Sequence, residues 1–295
     1  MSNIRFVIDA ACDLTREQVD AHGIVMCGAG IHIDGREFTE KVDITNEEFY
    51  AELQKAKEIP STSHVSPYTF QLVYTKAWQE GITDVIHVTI NSGGSNTLGA
   101  ARLAAQTFFE ENPTAVGQIK IHHVDSNTYS IGYGYPTMQA AKMAKSGADA
   151  ETILAYLEDW FDRVEIYFAV YTLEYVRKSG RVSAAAALAG DILGLKPIIQ
   201  MTEGVSTITE KLRGERKIIP HLTGLLQQRL AKGGEYFLIK GILEEPVEQA
   251  IKAMTEAVGY PPVDAVSVGP SVAINAGVKL IGLVFKGEAR GHRKG

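Results

Sequence analysis

The sequence predicts an α/β protein of two unequal lobes, and three observations predict it. Apolar runs of strand length alternate with helical patterns through the first half. The rhythm changes near residues 145 to 152, where a different order of elements begins. The chain has 295 residues, 45% hydrophobic and 22% charged, longer than a typical single domain and ordinary in composition for a globular protein with a core. The expected lobes are residues 1 to 150 and residues 151 to 295. The first should hold a mainly parallel sheet with helices on both faces, because strands and helices alternate along it; the second reads as a mixed α/β sandwich.

In chain order, the strand candidates of the first half are "IRFVI", "IVMCGAGIHI", "DVIHVTI" and "IKIHHV". The segments "NEEFYAELQKA", "SPYTFQLVYTKAWQEG", "NTLGAARLAAQTFFEE" and "GYGYPTMQAAKMAKSG" carry apolar residues at spacings of three and four, the helical period. Thr45 ahead of Glu47, and Ser66 ahead of Pro67, are ordinary helix starts. The second half opens with the helical "DAETILAYLEDWFDRV" and the strand "EIYFAVY". In "PIIQMTEGVSTITEKL" a glycine turn joins two strand-like runs, which predicts an antiparallel hairpin. A helix, strand, helix, strand, helix, strand series then runs to Phe285.

The net charge of -6 argues against a nucleic-acid surface, which needs clustered Lys and Arg. The one basic cluster, "KGEARGHRKG", is expected to be a frayed terminus. Cys12 and Cys27 are the only cysteines, too few for a disulfide framework and too far apart for a CxxC metal knuckle. No apolar run approaches about 18 residues and the first strand begins without a basic leader, so a soluble cytoplasmic protein is expected, with no membrane insertion and at most transient membrane contact.

In open α/β sheets, ligands bind beyond the carboxyl ends of the strands. The residues there are Asp9, then residues 91 to 97, which carry only hydroxyls, amides or no side chain, then Asp125 and Ser126. The stretch "PSTSHVSP", expected as a loop, adds Ser61, Thr62, Ser63 and Ser66. Hydroxyls at helix N-termini, where backbone N–H groups are unpaired, suit an anion. The loop has no lysine and is not a Walker loop, and "CGAGIHI" is a poor dinucleotide fingerprint, which leaves a carboxylate as the better candidate. Any one of these hydroxyls is more simply a helix cap; two such loops together favour a binding site.

The stretch "KSGRVSAAAALAGDILGLKP" places Arg181 ahead of a helix of small residues, which permits close approach of a slender apolar ligand or equally of a packed backbone. Arg213 alone reads as a solvated charge. His122 and His123 are adjacent on one strand, point to opposite faces and cannot share a metal; His87 reads as a core residue. No metal site, cofactor motif or hydrolase elbow is present in the pattern.

The segments "VIDAACDLT", "PSTSHVSPYTF", "VTINSGGSNTLGAARLAA", "VDSNTYSIGYG" and above all "LEYVRKSGRVSAAAALAGDILGLKPIIQMTEGVSTITEKLRGERK" resemble the DegV family nearly end to end. The resemblance implies a two-lobed, non-catalytic protein that holds one long-chain fatty acid. Its carboxylate would lie in the inter-lobe cleft, on loops of the first lobe, and its tail in a tunnel of the second. It also implies a partner, an ATP-dependent fatty acid kinase that makes acyl phosphate. Carried over, Thr62, Ser92 and Ser95 are the implied carboxylate donors, and Arg181 and Arg213 face the kinase; Ser63, Asn96 and Thr97 stand beside them in the expected ligand-binding set, and Asp9, Asp125 and Ser126 are secondary candidates. Ala10 stands where the family has a serine, "GSNT" where it has "LSGT", and Asn275 and Lys279 where many members have a histidine-containing motif, so Asn275 joins the ligand set as a neutral donor. Two alternatives stand beside this reading, a carrier of another lipid-like ligand and an acyl hydrolase with Ser95 as nucleophile.

Overall fold

The computed structural model describes residues 3–182 and 194–288. The chain divides into two compact units, Met1–Phe161 and Asp162–Gly295. The division falls in the last turn of a helix that the sequence reading assigned to the second lobe, later than the expected boundary at residue 150.

The first unit runs β1 (Ile4–Asp9), α1 (Arg16–His22), β2 (Ile24–Cys27), β3 (Gly30–Ile33), β4 (Arg36–Thr39), α2 (Asn46–Lys55), β5 (Ser61–Ser63), α3 (Pro67–Gln79), β6 (Asp84–Thr89), α4 (Thr97–Glu111), β7 (Lys120–Asp125), α5 (Ile131–Lys145) and α6 (Ala150–Arg163). Its main sheet is parallel, in the order β2-β1-β6-β7. Every residue of β6 is buried, as a parallel strand covered on both faces requires. On one face, Phe70 and Tyr74 of α3 and Ala101 and Phe108 of α4 pack over Val7 and Val85. On the other, α5 packs against β1 and β6 and meets α1. The helix starts are set locally: Thr15 with Gln18 and Thr45 with Glu48 form reciprocal capping boxes, and Ser66 caps α3 ahead of Pro67.

Two expectations are corrected here. The run "IVMCGAGIHI" is not one strand: β2 ends at Cys27, and β3 joins a separate antiparallel sheet in the order β4-β3-β5. The break occurs at Gly28, where a β-carbon would overlap the carbonyl of Glu40. The stretch before α3 is not a loop throughout, because Ser61–Ser63 forms β5 and pairs Thr62 with Ile31. That partner lies in a distant segment, and a run of hydroxyls shows no apolar alternation to announce it.

The second unit runs β8 (Val164–Val170), α7 (Glu174–Ser179), β9 (Leu195–Thr202), β10 (Val205–Arg213), α8 (Ile218–Arg229), β11 (Tyr236–Lys240), α9 (Glu244–Val258), β12 (Ala265–Ser267), α10 (Pro270–Ala276) and β13 (Leu280–Lys286). Its sheet has the order β10-β9-β8-β13-β11-β12, antiparallel except between β11 and β12. The predicted hairpin is β9–β10, turned through Glu203 and Gly204 at φ 50° and 75°, the left-handed pair that a two-residue turn favours. Helices α8 and α9 cover one face, with Leu222, Leu226, Ala250 and Met254 over Tyr167, Ile198, Leu238 and Leu283. The opposite face is also apolar: Ile166, Ile199, Met201, Ile239, Leu280 and Val284 are buried there. The alanine-rich stretch after Arg181, expected as helix, lies outside the described residues from 183 to 193, as does the basic tail from residue 289. Among the described residues no helix is long and apolar enough to cross a membrane.

Candidate functional site

The carboxyl ends of β1, β6 and β7 converge on one polar cluster in the first unit. Just past β6, the Ile90 N–H donates to Asp9 Oδ2 at 2.8 Å, which ties the start of the β6–α4 loop to the end of β1. The Asn91 N–H donates to the Thr128 carbonyl at 3.1 Å, and the Ser92 N–H to Asp125 Oδ1 at 3.1 Å. Asp125 Oδ1 also accepts from the Asn127 N–H at 3.1 Å, and the Ser126 hydroxyl donates to the Thr128 carbonyl at 3.2 Å. Asp9, Asp125 and Ser126, three residues selected from sequence as strand-end candidates, are therefore brought to the loop. Asp9 and Asp125 bond the backbone of that loop and fix its course, Asp9 also accepting from a side chain, while Ser126 braces its own loop through the Thr128 carbonyl.

Asp9 is buried, and its Oδ1 accepts from the Tyr133 hydroxyl at 2.7 Å. Burial pushes its carboxyl above the usual range, against the pull of the Ile90 and Tyr133 hydrogen bonds. Tyr133 is pushed well above the ordinary phenol value, first by burial and then by the Asp9 charge. Beside this pair the Ser130 hydroxyl donates to the buried Asp13.

The small donors divide into two kinds. Ser95 Oγ lies 2.9 Å from Thr97 Oγ1 and accepts from the Thr97 N–H at 3.3 Å, so Ser95 braces the entry to α4. Asn96, at the formal cap position, makes no side-chain cap bond and is exposed, while Thr97 is buried. Ser92 is exposed, and Thr62 is half-buried at the middle of β5. The Ser63 hydroxyl lies where a β-carbon on Gly30 would stand. Asn275, Arg181 and Arg213 belong to the second unit. Asn275 lies on α10 and donates to the Ser271 carbonyl at 2.8 Å. Arg181 is exposed and donates to the Ser179 carbonyl at 2.6 Å; Arg213 is exposed at the end of β10. Among the described residues no group of three or more His, Cys, Asp and Glu side chains could hold a metal ion.

Sequence reasoning passed over Asp13, Tyr129, Ser130 and Tyr133, and took Asn91 only as one of the strand-end residues 91 to 97. Asn91 is buried; its Oδ1 accepts from the Gly93 N–H at 3.0 Å and its Nδ2 donates to Tyr129 Oη at 3.2 Å. The signal was available, because residues 126 to 130, "SNTYS", form a second small-polar stretch between a strand and a helix, like residues 91 to 97.

The family model described as "Uncharacterised protein, DegV family" matches residues 3–288. The chain belongs to the DegV family. A DegV domain-containing protein of Listeria monocytogenes is 30% identical over 233 residues, 79% of this chain and 80% of that protein. Among solved structures, a stearic-acid-binding protein of Eubacterium ventriosum is 24% identical, with a TM-score of 0.86 over 98% of this chain and 99% of that one. A DegV family protein of Thermus thermophilus, described for its fatty acid binding, is 26% identical, with a TM-score of 0.80 over 97% and 99%. The parallel sheet of the first unit and the mixed sheet of the second are thus the DegV architecture.

Proposed function

We propose that this DegV protein is a non-catalytic carrier of one long-chain fatty acid, with the carboxylate recognised by the loops of the first unit. The observation that carries the reading is the β6–α4 loop: its backbone is pinned by Asp9, Asp125 and Thr128, and it presents Ser92, Ser95 and Thr97 at the N-terminus of α4. Thr62 and Ser63 on β5 and Asn96 complete the first unit's donor set. The stearic-acid-binding protein of Eubacterium ventriosum and the DegV family protein of Thermus thermophilus that share the fold bind fatty acids. The second, apolar face of the six-stranded sheet supplies a wall suited to an acyl chain.

The division of labour follows from magnitudes. Burying a 16-carbon tail contributes up to about 11 kcal/mol at ~0.8 kcal/mol per methylene, before ordering costs. Each charge-assisted hydrogen bond to the head adds about 1.5–3 kcal/mol. The tail sets affinity and the hydroxyls select an acid. The side-chain bonds of Ser95 run to the Thr97 hydroxyl and N–H and to no base, which disfavours the hydrolase alternative, since a nucleophilic serine needs a base within reach. Arg181 and Arg213, both exposed, are assigned to contact with a cytoplasmic fatty acid kinase.

The test begins with native mass spectrometry on protein purified without detergent, followed by extraction of whatever adds mass. A bound fatty acid of long chain is expected. After delipidation, stearic acid should bind, and Thr62→Ala combined with Ser92→Ala should weaken it about tenfold or more, the loss of one charge-assisted bond. Protein that carries no acid and ignores added stearic acid would overturn the reading.

A further inference from the structure

The loop after β7 carries a residue that no part of the reading above uses. The Tyr129 hydroxyl occupies the place where a β-carbon on Gly94 would stand, and its Cζ and Cε1 atoms would lie 3.1 and 3.4 Å from such a carbon. The phenol of one loop therefore rests on the bare backbone of the other, in the middle of the stretch that presents Ser92 and Ser95. Asn91 fixes it there, because its buried amide is held at Oδ1 by the Gly93 N–H and donates from Nδ2 to Tyr129 Oη at 3.2 Å. At the base of the same two loops, Thr89 Oγ1 and Thr128 Oγ1 are buried without a hydrogen-bond partner, at 0% and 1% exposure. Buried polar atoms are rarely left so, and an oxygen-bearing ligand or a water between the loops satisfies them.

We infer that Tyr129 is a positioning residue for the ligand's carboxylate, its phenol oxygen completing the ring of small donors on the β6–α4 loop. The inference rests on the fatty-acid-binding reading and deepens it. Gly94 is explained as well: any side chain there would displace the phenol from the loop. A phenol contributes here because its ring fixes the oxygen with few rotatable bonds, whereas a serine in the loop after β7 could not reach across to Gly94.

The decisive variant is Tyr129→Phe, which keeps the ring and removes only the oxygen. Affinities of delipidated wild type and variant for stearic acid and for stearyl alcohol are compared by titration. The variant should bind the acid about tenfold more weakly, with alcohol affinity changed less than twofold, so that acid-over-alcohol preference falls about tenfold, as loss of one bond to a charged group predicts. A structural role alone would move both ligands together, and an unchanged preference overturns the inference. Wild type that binds neither ligand overturns the parent reading instead. Gly94→Ala provides a second route should Tyr129→Phe fold poorly: it should lose the same preference, and retention of wild-type preference there also counts against the assignment.

Discussion

Arg229→Ala is expected to cost the second unit about 3 kcal/mol, the low end of what removing one partner of a buried ion pair costs. Arg229, in the last turn of α8, forks onto Glu165 of β8, with Nε 2.6 Å from Oε2 and Nη2 2.9 Å from Oε1. The Glu165 side chain is 4% exposed and that of Arg229 43%. The carboxylate is therefore the group that suffers, while the exposed side of the pair lets water in and limits the loss. Without the guanidinium, Glu165 keeps the Tyr167 hydroxyl at 2.9 Å, itself held by Gln200 Nε2 at 2.8 Å. One neutral donor does not replace a bidentate cation. Differential scanning calorimetry should show Tm lowered by roughly 6–12 °C, at about 2–4 °C per kcal/mol for a unit of this size. Arg229→Lys, which restores charge but not the fork, should recover part of the loss. Glu165→Leu combined with Arg229→Met should recover most of it, because an apolar pair leaves no buried charge. A Tm within about 1 °C of wild type for Arg229→Ala would show that the pair is solvated enough to be neutral.

What the sequence made legible, and what it hid, follows the range of the interactions involved. The parallel strands β1 and β6 were readable because strands covered on both faces are continuous apolar runs, and the β9–β10 hairpin because Gly204 marks its turn. Of the antiparallel trio β3, β4 and β5, the β3–β4 hairpin does carry a local signal that the sequence reading did not use, Asp34–Gly35 at its turn, whereas the β3–β5 pairing joins Ile31 to Thr62 and nothing local specifies it. The unit boundary was displaced because α6 carries the same apolar stripe, Ile153, Leu157, Trp160 and Phe161, whichever unit it packs on. Only the structure shows Trp160 Nε1 donating to the Gly132 carbonyl at 2.9 Å, within the first unit. In the candidate site, strand position selected Asp9 and residues 91 to 97, and hydroxyl content added the stretch "PSTSHVSP". The anchoring of Ile90 by Asp9 spans 81 residues, and the seating of Tyr129 on Gly94 spans two loops. Neither has a signature within a window of sequence. The placing of His87 in the core and of His122 and His123 on opposite faces did hold, because alternation along a strand is a local rule: His122 pairs with Asp84 at 2.9 Å, and His123 turns to the Ala101 carbonyl at 3.2 Å.

The buried histidine makes stability depend on pH, and its sign is fixed. His87 is wholly buried, its Nδ1 is 2.6 Å from Tyr74 Oη, and its Nε2 has no hydrogen-bond partner. The Phe70 ring packs on it at 4.5 Å. Burial holds its pKa well below the ordinary value, with His123 adding to the effect. His123 is lowered as well, first by burial, against the raising effect of the Ala101 carbonyl. In the unfolded chain both rings take up a proton near pH ~6.5. The native state takes it up only at lower pH, so the stabilisation is complete above about pH 6.5 and is lost as pH falls toward the folded values, by up to about 1.4 kcal/mol per pH unit for each ring. Asp9 works with the opposite sign: its raised pKa favours folding at low pH, and that contribution is lost as pH rises through its folded value. The wild-type profile sums these terms, so the comparison that isolates the ring is His87→Leu, in which Tyr74 keeps the Ala101 carbonyl and His123 as neighbours. Urea unfolding from pH 7.5 to 5 should give the variant a profile shallower than wild type below pH 6.5, by at most about 1.4 kcal/mol per pH unit, whatever its stability at neutral pH. Parallel profiles would mean that water reaches His87 in the native state and protonates it as freely as in the unfolded chain.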